Sequence, residues 1–247
     1  MRLLIVNGNR TEAVTAHVVQ VARQAAAADT EIIAATARFG ADYVRSRADE
    51  VIAAHAVLDA LAQHAGGFDA ALLAISFDSG LLAARQLVPV PVIGLTEAAL
   101  YVACQLAERI AVITSGSETR PLYMDLFRRY GLESRIAELC TLDTRRYGDP
   151  LHSQDLLAFL RDQACALSED PNIGCIVLCG AVHAGLAERI APSLPVPILD
   201  CVKVAVAQAE LLVRLQPMRV GARRQRASGL AMAGLSPALL RLFHEEP

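Results

Sequence analysis

Two short polar loops carry most of the side chains in this chain that could do chemistry. Ser76, Asp78 and Ser79 lie in Ser-Phe-Asp-Ser directly before Gly80-Leu81, and Cys179, Gly180, Ala181 and His183 lie just before Ala184-Gly185-Leu186. A hydroxyl, a carboxyl, a thiol and an imidazole at such loops point to proton transfer. Imidazole is the side chain whose unperturbed pKa suits exchange near neutrality. A thiol, with an ordinary pKa of about 8.5, can be tuned to ionise near pH 7, whereas a serine hydroxyl needs activation. Asn7, Asn9, Thr114 and Ser115 stand in two further loops and could hold a carbonyl or carboxylate by hydrogen bonds.

The surroundings of the two loops repeat. Residues 71–97 and 175–203 share an order of parts: apolar strand, small polar loop, Gly-Leu, an Ala/Arg helix, Pro-Val-Pro and a second strand. The interval from Gly80 to Gly185 matches that from Pro91 to Pro197 to within one residue, as a duplicated fold unit requires. Ser76 and Gly180 then occupy equivalent places and should approach one cleft from opposite sides.

Strands are expected at Leu3–Asn7, Glu31–Thr36, Ala70–Ile75, Val90–Leu95, Arg109–Thr114, Arg135–Leu139, Cys175–Cys179 and Pro197–Leu199. Most are continuous apolar runs, the mark of parallel strands covered on both faces. Helical patterns fall between them at about 11–28, 48–65, 79–88, 97–107, 118–131, 151–168, 183–191 and 202–215. Regular alternation predicts an α/β fold. The repeat favours two pseudo-symmetric lobes, each a mainly four-stranded parallel sheet flanked by helices, with the site between them. Lobe 1 is expected at 1–97 plus about 205–247 and lobe 2 at 98–204; a closed eight-stranded barrel has the same element count. Ligands in open α/β sheets bind beyond the carboxyl ends of the strands, which selects the loops named above.

Each candidate also has a plain structural reading. Asn9 and Glu12 fit a capping box, leaving Asn7 as the likelier ligand contact of the two. Asp78 or Ser79 could cap a helix, and the segment from Thr114 to Ser117 opens one. Gly180 could serve a backbone turn, and Cys179 alternates with Val177 and Cys175 as a core residue would. His183 could be a packing residue.

The chain is 54% hydrophobic, yet charged residues interrupt every apolar stretch before a membrane span is reached, and the start, MRLLIVNGN, is too short in apolar residues for a signal peptide. A soluble, cytoplasmic protein is expected. The net charge of −3 offers no basic field for nucleic acid, and Arg223, Arg224 and Arg226 read as a solvated face or tail contact. The six cysteines show no Cys-x-x-Cys pair, so neither a metal site nor a disulfide framework is expected.

Several segments together resemble the aspartate/glutamate/hydantoin racemase superfamily. They are the opening strand ending Val-Asn-Gly-Asn, Ser-Phe-Asp-Ser-Gly-Leu with Ala-Ala-Arg-Gln-Leu-Val, Pro-Val-Pro-Val-Ile-Gly-Leu-Thr-Glu-Ala, and Ala-Gly-Leu-Ala-Glu-Arg-Ile. The resemblance runs over about residues 1–215. It implies two α/β lobes, no metal or cofactor, and a small carboxylate or cyclic ureide substrate in the cleft. In racemases of this kind two cysteines, one per lobe, act as base and acid on opposite faces of a carbon next to a carbonyl. Here the motifs put Ser76 at the first cysteine and Gly180 at the second, with a cysteine one residue earlier at 179.

Three function classes follow. The leading one is a cofactor-independent isomerase acting next to a carbonyl of a small carboxylate, amino acid or hydantoin-like substrate. In it His183 moves the proton, Ser76, Asp78 or Cys179 assists, and Asn7, Asn9, Ser79, Thr114, Ser115, Gly180 and Ala181 hold the substrate. The others are a decarboxylase or lyase on the same cleft, which needs one proton donor and an oxyanion site, and a non-catalytic small-molecule binding protein. Homo-oligomer formation is left open.

Overall fold

The computed structural model describes residues 1–143, 153–215 and 232–244. Among the described residues, eight strands form two separate four-stranded parallel sheets, so the barrel alternative does not hold. The first contains β1 (Arg2–Asn7), β2 (Glu31–Thr36), β3 (Ala70–Leu73) and β4 (Val92–Gly94) in the order β2-β1-β3-β4. The second contains β5 (Ile110–Ser115), β6 (Ile136–Leu142), β7 (Cys175–Leu178) and β8 (Ile198–Asp200) in the order β6-β5-β7-β8. The two orders are the same when read lobe against lobe, which is the structural counterpart of the sequence repeat.

Helices α1 (Glu12–Ala25), α2 (Arg47–Gln63), α3 (Leu81–Leu87) and α4 (Leu95–Leu106) follow β1 to β4 in turn. After β5 to β8 come α5 (Arg120–Arg129), α6 (Gln154–Ser168), α7 (Ala187–Ile190) and α8 (Cys201–Arg214). A further helix, α9 (Pro237–His244), lies beyond the strand–helix alternation and packs on α2, its first turn held by Ser236 Oγ, which accepts from Leu239 N. The arginines at 223, 224 and 226 lie outside the described residues.

The last helix of each unit crosses to the other. Helix α4 leaves the first sheet and packs on β7 and β8, while α8 leaves the second and packs on β3 and β4. Parallel strands buried on both faces explain the apolar runs: Leu3, Leu4, Ile5 and Val6 of β1 and Ile110, Ala111, Val112 and Ile113 of β5 are all fully buried. The alternate residues of β1, β3, β5 and β7 that face α1, α4, α5 and α8 join one continuous core running through both sheets. This shared core fixes the relative position of the two sets of strand ends.

The expected capping box at Asn9 and Glu12 does not form. The N-cap of α1 is Thr11, and Asn9 Oδ1 instead accepts from Thr11 N at 2.9 Å. The reciprocal box lies at α2, where Ser46 and Asp49 cap each other. Among the described residues no helix is long and apolar enough to cross a membrane.

Candidate active site

The carboxyl ends of the four central strands converge on one cavity of about 300 Å³. In each sheet the chain reverses its winding direction between the two central strands, so the cavity lies where the two topological switch points face each other. Its walls come from Asn9 after β1, Ala74 to Phe77 after β3, Thr114 and Ser115 at the end of β5, and Cys179 to His183 after β7.

Ser76 and Gly180 meet across this space. A Cβ built on Gly180 would stand 3.8 Å from Ser76 Oγ and 3.4 Å from His183 Nδ1. Gly180 has φ +113° and ψ 131°, a backbone conformation that L side chains rarely adopt. Glycine therefore does two things here: it allows the chain to turn out of β7, and it leaves open the gap between a hydroxyl and an imidazole.

His183 is buried and both ring nitrogens are engaged. Nδ1 lies 2.8 Å from the Cys179 carbonyl oxygen and Nε2 lies 2.8 Å from Ser115 Oγ. A carbonyl only accepts, so Nδ1 carries the proton, Nε2 presents a lone pair and the Ser115 hydroxyl donates to it. Burial lowers the imidazole pKa to about 4, against a smaller opposing effect of the Cys179 carbonyl. The ring is thus neutral at physiological pH.

Behind Ser76 lies Tyr123, fully buried on α5. Its hydroxyl accepts from Thr114 Oγ1 at 2.9 Å, and both Tyr123 and Ser76 line the cavity. Burial pushes the phenol well above its ordinary range, so Tyr123 is a neutral partner. Backbone donors complete the walls: among the described residues, the N–H groups of Ser76, Phe77, Gly180, Ala181 and Val182 make no backbone hydrogen bond outside the chain's own helices and strands. Such groups, fixed in place at the cavity, are what an enolate or carboxylate oxygen requires.

Other candidate residues stand elsewhere. Asn7 is fully buried and its amide is committed within the protein: Nδ2 donates to Asn9 Oδ1, the Thr11 carbonyl and Thr15 Oγ1, while Oδ1 accepts from Asn9 N. It shapes the turn, and Asn9 is the one that lines the cavity. Asp78, at φ +50°, turns away and caps α4, accepting from Thr96 N at 3.0 Å, Glu97 N at 2.8 Å and the Tyr130 hydroxyl at 2.7 Å. Burial nonetheless raises its pKa to about 7. Ser79 is buried outside the cavity lining, with no partner for its hydroxyl. Cys179 lines the cavity but belongs to the shared core, its sulfur 3.7 Å from Cys201 Sγ.

The structure adds residues that the sequence reading did not select. Tyr123 gives no local signal, because an aromatic on the buried face of a helix is ordinary core. Tyr43, Val44 and Arg45 come from the loop after β2, another carboxyl end of a strand, and the ligand-site rule could have found them. Arg45 stacks over the Tyr43 ring, 5.6 Å from its centroid, and pairs with Glu118 at 3.5 Å. Arg47 pairs with Asp125 at 2.5 Å, so this loop is tied by charge to the opposite sheet's first helix.

Known proteins share the fold that carries this cavity. The chain is 31% identical over 221 residues to a hydantoin racemase of Pseudomonas sp. (strain NS671), covering 87% of each. It superposes on the allantoin racemase from Klebsiella pneumoniae with a TM-score of 0.82 at 33% identity, covering 87% of this chain and 88% of that one. For the allantoin racemase from Pseudomonas fluorescens the TM-score is 0.83 at 32% identity, covering 91% and 95%. Residues 3–209, which include both sheets and every cavity wall, match the family described as Asp/Glu/Hydantoin racemase, and the chain belongs to that family.

Proposed function

We propose that the protein is a cofactor-independent racemase or epimerase that inverts a carbon next to a carbonyl in a cyclic ureide of the hydantoin type. The relatives, hydantoin and allantoin racemases, support a racemase-type isomerase and this substrate class. The observation that carries the reading is the gap at Gly180, with Ser76 Oγ and the His183 ring on its borders.

Inversion needs a base on one face of the carbon and a proton donor on the other. The neutral His183 ring serves as base, its Nε2 taking the proton through the Ser115 hydroxyl to which it is bonded. A base whose pKa is as low as about 4 removes a carbon-bound proton only when the resulting enolate is strongly stabilised. The N–H groups of the two loops supply that stabilisation at the ring carbonyl. Ser76 returns a proton from the opposite face, its hydroxyl being restored from solvent as the His183 imidazolium releases to solvent the proton it took. Thr114 donates to the Tyr123 hydroxyl and so holds the phenol in place beside Ser76. Asn9 Nδ2 donates to a ring oxygen, since its Oδ1 already accepts from Asn7 Nδ2 and Thr11 N. Cys179 stays a packing residue against Cys201 and takes no part in the transfer.

Polarimetry on single enantiomers of a 5-substituted hydantoin, allantoin and aspartate tests this proposal. Loss of rotation with a cyclic ureide, with no added metal or cofactor, is expected. Loss with aspartate alone would overturn the substrate class, and stable rotation of all three would overturn the activity.

A further inference from the structure

The Ser115–His183 pair has a second chemical meaning, which does not rest on the racemase reading. We propose that Ser115 is an activated nucleophile and that the cavity accepts acyl and sulfonyl donors on its hydroxyl. The geometry has the three parts such a serine needs: the hydroxyl 2.8 Å from Nε2, the ring as base, and a fixed acceptor, the Cys179 carbonyl, 2.8 Å from Nδ1. A backbone carbonyl here takes the orienting place that a carboxylate fills in a Ser-His-Asp triad. It fixes the tautomer, so the Nε2 lone pair always faces Ser115.

Ser115 is also held rigidly. It ends β5, in register with Leu142 of β6, and its carbonyl accepts from Thr119 Oγ1 at 3.1 Å. Its rivals on the cavity wall lack a base. Ser76 is backed by a phenol rather than an imidazole, and the Cys179 thiol is buried in the core beside Cys201. The N–H groups of Gly180, Ala181 and Val182 line the same cavity and supply donors for an oxyanion.

With an aryl ester the step balances as follows. Ser115 Oγ forms a bond to the carbonyl carbon, the carbon–aryloxide bond breaks, and the hydroxyl proton passes to His183 Nε2 and on to the leaving aryloxide. Water then attacks the acyl-serine, releasing the acid and restoring the hydroxyl. A sulfonyl fluoride follows the first half only, releasing fluoride and the same proton and leaving a stable sulfonyl-serine.

The test uses the full chain with p-nitrophenyl acetate and phenylmethanesulfonyl fluoride, read by the nitrophenolate burst, intact mass and peptide mapping. One adduct per chain on Ser115 is expected, with its formation slowed by about 10² or more in His183→Gln and unchanged in Ser168→Ala, a serine remote from the cavity. The wild-type map decides the matter even if His183→Gln misfolds. An adduct on Cys179, Ser76 or a surface lysine, or labelling no faster than that of the unfolded chain, would overturn the proposal.

Discussion

Replacing Gly180 by alanine tests whether the space between Ser76 and His183 is where the reacting carbon sits. The substitution has two separable effects. At φ +113° an L side chain is strained, at a cost of about 1–3 kcal/mol, which for a chain of this size is a fall in Tm of roughly 2–12 °C. The methyl itself would stand 3.4 Å from His183 Nδ1 and 3.8 Å from Ser76 Oγ, ordinary van der Waals contacts, so the fold can accommodate it. It would take about a tenth of the 300 Å³ cavity, if a methyl fills about the 30 Å³ of one liquid water. A substrate ring displaced by about 1 Å loses on the order of 10² in rate, or about 2.7 kcal/mol of transition-state stabilisation. Gly66→Ala is the control, because Gly66 is also left-handed, at φ +73°, with nothing within 4 Å of its Cβ position. Polarimetric kcat/KM and thermal unfolding should show similar stability losses for the two variants and a loss of activity for Gly180→Ala alone. Equal activities in two folded variants would refute the reasoning.

His183→Gln should lower kcat by about 10² to 10⁴ with little change in KM, as steady-state kinetics would show. Because the account needs the neutral ring and burial holds its pKa near 4, kcat/KM should stay level as pH falls from 7 toward 5; an acid limb centred at 6.5 would contradict this. Cys179→Ala should keep turnover while reducing the urea midpoint, and protection of Cys179 from alkylation by substrate would reassign the proton chemistry to it. Asp78→Ala should destabilise the fold by about 2–4 kcal/mol in urea unfolding, since it removes the cap of α4 and leaves the Tyr130 hydroxyl without its acceptor. The folded state also binds the Asp78 proton more tightly than the unfolded chain, so this residue's contribution to wild-type stability should decline as pH rises from about 4 to about 7.

The repeat and the continuous apolar strands are enough to read two like sheets and the loops that bound the cavity, because each is written in contiguous stretches of residues. What escaped were contacts made across the chain. Asp78 caps a helix that begins at Leu95, a partnership that no spacing rule within the Ser76–Ser79 loop reveals. Asn7 and Asn9 look alike at a strand end, and only the folded turn shows Asn7 folded inward on Thr11 and Thr15 while Asn9 faces the cavity. The pairing of Ser115 with His183 joins residues 68 apart, and the chain gives no hint that both nitrogens of the imidazole are occupied. Tyr123 reads as core from its helix and is core, yet its hydroxyl reaches the site.

The claim that Ser76 and His183 act from opposite faces of one carbon is tested most directly by proton exchange in D₂O, followed by NMR and chiral separation. With each pure enantiomer of a 5-substituted hydantoin, the wild-type protein should place deuterium at the ring carbon of every inverted molecule. Ser76→Ala should lose inversion but still exchange the one enantiomer whose C–H faces His183, and His183→Gln should do so for neither or for the opposite one. Inversion at the wild-type rate in Ser76→Ala, or inversion in wild type without deuterium uptake, would contradict the account.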